Sequence, residues 1–195
     1  MLVTNVARMD RWARTHEALR AAALELFAAQ GYDATGTVEI AARAGVSEMT
    51  LFRHFPSKEA LLLEDPFDPL MADAVRSRPS DEPAMRALTA GIRSVWQGME
   101  ADAADALRAR LRILTAASGL HGAIERNSAA TTDALVMALV ARGSSETDAR
   151  VAATAVIAGL GVALLSWARS DEPDPGAALG AALDVLGGNL DAALR

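Results

Sequence analysis

The stretch GVSEMTLFRHFPSKEALL, residues 45 to 62, sets a glycine, a short polar run, two aromatics, a histidine and a lysine between two apolar segments. Such a cluster either makes a loop with hydrophobic ends or presents side chains to a partner. Reaction chemistry is the first alternative to weigh. The histidines are His16, His54 and His121, far apart in sequence and without metal-ligand spacing, and there is no cysteine. With no strand expected, a glycine-rich phosphate loop after a strand has no place either. The residues therefore predict no enzyme, no metal site and no cofactor, and they leave recognition as the role to explain.

The elements that must position this cluster are helical. Hydrophobic residues make up 51% of the 195 but aromatics only 4%. Alanine and leucine dominate over the β-branched residues, which favours an all-α fold. Leu19, Ala23, Leu26 and Phe27 lie on one face of a first helix, over about 15–30, that stops at Gly31. A second helix fits 37–44, with the Thr37 hydroxyl placed to cap it, and a third starts at Ser47. Only Gly45 and Val46 separate them, so the two must cross at a large angle, with Ala41, Gly45 and Leu51 meeting the needs of the turn and the contact. Ser57 reads as the cap of a fourth helix that breaks at DPFDP, and Asp68 with Pro69 as a fresh cap and first position. Further helices follow a linker at 79–83, one ending at Gly143, a long apolar one launched by Ser145 with Asp148, and a last one opened by Asp174 and Pro175. Nine or ten helices result.

A capped helix, a two-residue turn and a short second helix are the parts of a helix-turn-helix, whose second helix fits the major groove of DNA. The whole run ALRAAALELFAAQGYDATGTVEIAARAGVSEMTLFRHFPSKEALL resembles the N-terminal domain of the tetracycline-repressor (TetR) family of transcriptional regulators, over about 50 residues. The resemblance implies a DNA-binding set of Thr37, Arg43, Ser47, Glu48, Met49, Thr50, Arg53, His54 and Lys58. Within it, Glu48, Met49, Thr50 and Arg53 would face base edges. Thr37, Ser47, His54 and Lys58 would meet phosphates, while Leu51 and Phe55 anchor the third helix. Phe52 stands where the family commonly has tyrosine and lacks the hydrogen bond that residue would give. Arg8, Arg11 and Arg14, placed ahead of the first helix, form either an arm toward the duplex or a solvated tail.

The resemblance divides the chain into a helix-turn-helix domain over 1–60 and a helical effector-binding and dimerisation domain over 61–195. The long apolar helix carries Ala155, Gly159 and Ala163 every fourth residue, and the last one carries Leu179, Leu183 and Leu186. Together they predict a four-helix interface between two copies of the chain. Phe67, Met85, Trp96, Met99, His121, Met137 and Trp167 are the candidates for an effector pocket. The DPFDPL break resembles a subgroup that responds to acyl-CoA thioesters, with Arg108, Arg110 and Arg112 as possible phosphate partners.

The formal charge of −6 argues against a surface that is basic throughout, but residues 1–58 carry +1 and the remainder −7, so the N-terminal end would approach a polyanion. The apolar run at 151–168 has the length of a membrane span. Amphipathic helices on both sides favour burial within protein, and the chain is expected to be soluble and cytoplasmic. The partners expected are a double-stranded operator, a second copy of the chain and a small unknown effector, with no membrane. The rival is a scaffold or ligand-binding protein of the same fold without sequence-specific DNA binding.

Overall fold

The computed structural model describes residues 2–64, 67–97 and 101–188. Among them it forms ten α-helices and one 3-10 turn, with no strand. Residues 1–64 together with 112–123 make one compact unit, and residues 65–111 with 124–195 make a second.

The first unit contains α1 (Leu2–Gln30), α2 (Thr37–Arg43), α3 (Glu48–His54) and α4 (Ala60–Leu63). Helix α1 ends where Gly31 takes φ +89° and donates to the Phe27 carbonyl at 2.9 Å. Between α2 and α3, Gly45 takes φ +72°, its amide donates to Ala42, and the Val46 amide donates to Ala41 at 2.9 Å. These are the paired bonds of a glycine C-cap. The Ser47 hydroxyl then accepts from the Thr50 amide and starts α3. Leu19, Ala23 and Phe27 of α1 are buried with Ile40, Ala41, Leu51, Phe55, Leu61 and Leu62.

Three expectations need correction. Helix α1 begins at Leu2 rather than near 15, so Arg11 and Arg14 stand on a helix and not on an extended arm. Arg8 lies in the same helix, outside the described side chains. The residue before α2 is Gly36, with no side-chain cap, because the Thr37 hydroxyl is used elsewhere. Ser57 does accept from the Ala60 amide, but α4 is only four residues long.

The second unit contains α5 (Phe67–Arg76), α6 (Ala84–Trp96), most of α7 (Ala101–Ala116) and of α8 (His121–Ala141), α9 (Glu146–Ala168) and α10 (Pro175–Leu186). Helix α5 starts one residue before Asp68, which therefore sits in its first turn and accepts from the Thr131 hydroxyl at 3.0 Å. Gly91 lets α6 approach α5: a Cβ there would meet Val75 at 3.0 Å. Ser145 caps α9 by accepting from the Asp148 amide, and Asp174 caps α10 ahead of Pro175, both as the sequence predicts. Arg142, just past α8, donates to the carbonyls of Arg78 at 2.6 Å and Glu82 at 2.9 Å, holding both ends of the connection between α5 and α6.

Candidate nucleic-acid interface

Helix α3 has two unlike faces. Leu51 and, just beyond its end, Phe55 are fully buried, whereas Met49 is 76% exposed and Phe52 and Arg53 also face solvent. An apolar side chain that exposed gains nothing from folding, so the outward face is free to serve a partner. On the same unit Val38 of α2 is exposed as well.

The polar residues at the start of α3 are tied to one another. Thr37 donates its hydroxyl proton to Glu48 across the turn at 2.6 Å, and the hydroxyls of Ser47 and Thr50 lie 2.9 Å apart. Glu48 is thus held in place with further lone pairs to offer. Arg43 pairs in a forked manner with Glu25 of α1, its Nε at 3.1 Å from one carboxylate oxygen and a terminal nitrogen on the other. Its guanidinium joins α1 to α2, at a position where both groups remain half exposed.

Lys58 faces inward. Its ammonium donates to the carbonyls of Tyr32 at 2.9 Å and Thr35 at 3.1 Å and lies 4.1 Å from the centre of the Tyr32 ring. Two of its three protons are therefore committed to the loop between α1 and α2. Lys58→Ala is expected to lower stability by about 1–3 kcal/mol, because two half-buried carbonyls lose a charged donor. The melting temperature and the affinity for any duplex should fall together. A loss of affinity at an unchanged melting temperature would leave Lys58 a surface contact and no more.

His54 closes α3. Its ring stacks on Trp12 of α1 with centroids 4.8 Å apart, and Trp12 stacks in turn on His16, which packs against Phe55 at 4.1 Å. Burial first, then the neighbouring Arg53 guanidinium, hold the His54 pKa below the ordinary value for histidine. Trp12 was not singled out in the sequence. Its spacing to His16, Leu19 and Ala23, at four, three and four residues, continues the stripe of α1 and could have identified it.

The family model described as bacterial regulatory proteins, tetR family, matches residues 19–64, the stretch that forms this helix-turn-helix. Over these residues the chain is similar to the tetR family of bacterial regulatory proteins. TcmR, an HTH-type transcriptional regulator of Streptomyces glaucescens, is 38% identical over 90 residues, which cover 45% of this chain and only 40% of TcmR. MftR of Mycobacterium tuberculosis, a transcriptional regulator named for mycofactocin biosynthesis, is 29% identical over 87% of each chain. Among solved structures, Thermus thermophilus FadR, a TetR-family repressor crystallised with lauroyl-CoA, superposes with a TM-score of 0.51 at 22% identity, covering 92% of this chain and 95% of its own. That likeness extends the shared fold beyond the helix-turn-helix. TetR-family proteins are transcriptional regulators rather than enzymes, and they bind DNA and act as dimers.

The effector candidates are not gathered at one place. Phe67 and Trp96 stack at 4.7 Å, and Trp96 borders a cavity of about 380 Å³ with Arg93, Asp174, Leu179 and Leu183. Met85 is half-buried on α6. Trp167 is buried beneath the Arg108 guanidinium and donates to the Glu172 carbonyl. Met137 is 69% exposed on α8, a correction to its reading as pocket lining, since its neighbours Leu135, Val136, Ala138 and Leu139 fill the inward face. His121 belongs to the first unit, and Met99 lies outside the described residues. Arg108 donates to the carbonyls of Ser170 and Glu172, and that use takes it away from a ligand phosphate.

The dimer candidates divide. Leu179 and Leu183 of α10 are buried inside their own chain, and Leu186 lies against Gly159, where a Cβ would meet its methyl at 2.9 Å. Leu179 and Leu183 border the same cavity as Trp96 of α6, and their burial takes them away from a second copy, whereas Leu186 is half-buried. Ala155 is exposed and Ala163 half-buried. The outward stripe of α9 is Val151, Ala155, Ala158 and Val162, and that of α10 is Ala177, Ala181 and Val185. By length and composition α9 could cross a membrane, and only a third of its most apolar window is buried in the chain.

Proposed function

We propose that this protein is a TetR-family regulator, a cytoplasmic repressor that binds a palindromic operator as a homodimer and answers to a small apolar effector. The observation that carries the reading is α3 itself, anchored by Leu51 and Phe55 while Met49, Phe52 and Arg53 face outward. Arginine at the exposed face can pair with guanine O6 and N7, methionine can touch a thymine methyl, and the held Glu48 can accept from cytosine N4. Ser47 and His54 flank that face as phosphate contacts, with Thr37 and Lys58 acting first through the protein bonds they make. Dimerisation supplies the second recognition helix, about 34 Å from the first and one turn of duplex away.

An acyl-CoA is one effector class in keeping with this reading, supported by the lauroyl-CoA held by Thermus thermophilus FadR on the same fold. The stacked Phe67 and Trp96 offer an apolar wall for such a chain. Native mass spectrometry of the purified dimer identifies what it carries.

Selection of duplexes from a random pool by the purified protein tests the central claim. A symmetric half-site should emerge, and affinity for it should fall steeply with salt. Arg53→Ala should then relax the preference at one base position per half-site, at a cost of about 1–3 kcal/mol. A protein that enriches no sequence, or an Arg53→Ala variant that keeps the full preference, would reject the assignment.

A further inference from the structure

The stack of Trp12, His16, His54 and Phe55 has a geometry that packing alone does not require. Trp12 is 52% exposed, so half of its indole remains open to solvent while it lies against both imidazoles, at 4.7 Å from His16 and 4.8 Å from His54. The Nδ1 atoms of both histidines are buried without a hydrogen-bond partner. A buried nitrogen with no acceptor nearby is better left as a bare lone pair than as an N–H. For His54 this leaves Nε2 as the protonated nitrogen and the one able to reach outside the protein. The charges around the pair are Arg53 beside His54, and Arg20, Glu17 and Glu64 around His16.

We propose that Trp12 is a positioning residue for DNA binding: stacked on His54 at the end of α3, it fixes the imidazole as a one-directional Nε2–H donor toward a backbone phosphate. The idea rests on the DNA-binding reading above and deepens it. A ring stacked on one face turns over less readily, so the donor is aimed before the duplex arrives and less rotamer freedom is lost on binding. Trp12 acts through His54, and its exposed indole face extends the surface beside that phosphate.

The test uses the full-length protein and two probes, the imidazole nitrogen shifts of the free protein by NMR and affinity for a mixed-sequence duplex. Wild type should show His54 as a single Nε2–H tautomer. Trp12→Ala should give a mixture and bind about tenfold more weakly, the size of one charged hydrogen bond. Trp12→Phe, which keeps a stacking ring, should restore both signals. In a His54→Gln background the Trp12→Ala change should add little further loss, because the contact it serves is already gone. The proposal fails if Trp12→Ala binds as wild type does, if its loss persists undiminished in the His54→Gln background, or if the tautomer is the same with and without the indole. Should Trp12→Ala not fold, Trp12→Leu keeps the apolar bulk without a ring and carries the same predictions. A wild-type protein that binds no duplex while showing the single tautomer would count against DNA binding itself, and so separates the two failures.

Discussion

In the proposed homodimer, Val162→Arg is expected to leave single chains of 20.4 kDa. Val162 is 72% exposed at the end of the stripe Val151, Ala155, Ala158 and Val162, which has the spacing of one helix face. In a two-fold interface each substitution occurs twice, and a guanidinium placed against apolar side chains without a carboxylate is left unpaired. The cost is several kcal/mol per charge, enough to overcome most interfaces of this kind. Sedimentation equilibrium reads the result directly. Affinity for a two-half-site operator should fall by about a hundredfold or more, since the second half-site contact is no longer intramolecular. A variant that still sediments at twice the chain mass would show that the exposed stripe of α9 is not the interface.

Phe55→Ala is the second large effect. Phe55 is fully buried, packs face to face on His16 at 4.1 Å and lies 5.9 Å beneath the Arg20 guanidinium. Removing a buried phenyl ring costs roughly 3–5 kcal/mol, counting both lost transfer energy and the cavity left behind. Set against a typical total of about 5–15 kcal/mol for a domain, that is a large fraction of the stability available to the helix-turn-helix. Thermal unfolding followed by circular dichroism should show an early transition, and duplex binding should be lost at temperatures above it. Phe55→Leu, which keeps most of the volume, should lose far less. Equal melting of the alanine variant and wild type would mean that Phe55 does not anchor α3.

What could be read from the sequence was what is decided locally. Gly31, Gly45 and Gly143 mark helix ends because only positive φ satisfies the turn there, and Ser47, Ser145 and Asp174 mark starts because their oxygens serve amides two or three residues on. The burial of Leu51 and Phe55 follows from the same short-range pattern. What escaped was decided by tertiary contact. Helix α9 is apolar nearly all round, so periodicity could not say which face meets its own chain; the small residues every fourth position selected Gly159, which is covered by Leu186. Leu179 and Leu183 of α10 turned inward, where they are buried in their own chain, and left Ala177, Ala181 and Val185 on the outer face. Thr37 and Lys58 have the residue types of phosphate ligands, and only the fold reveals Glu48 and two loop carbonyls as their present partners.

Arg142 makes the last turn of α8 and the link from α5 to α6 mechanically one object. A single planar fork grips a carbonyl at each end of that link, and Glu82, whose carbonyl it takes, is itself bound to Arg78 at 2.8 Å through its carboxylate. The foot of α8 and the head of α6 are therefore tethered through one side chain, so that Arg142 couples the two helix ends without any backbone running directly between them.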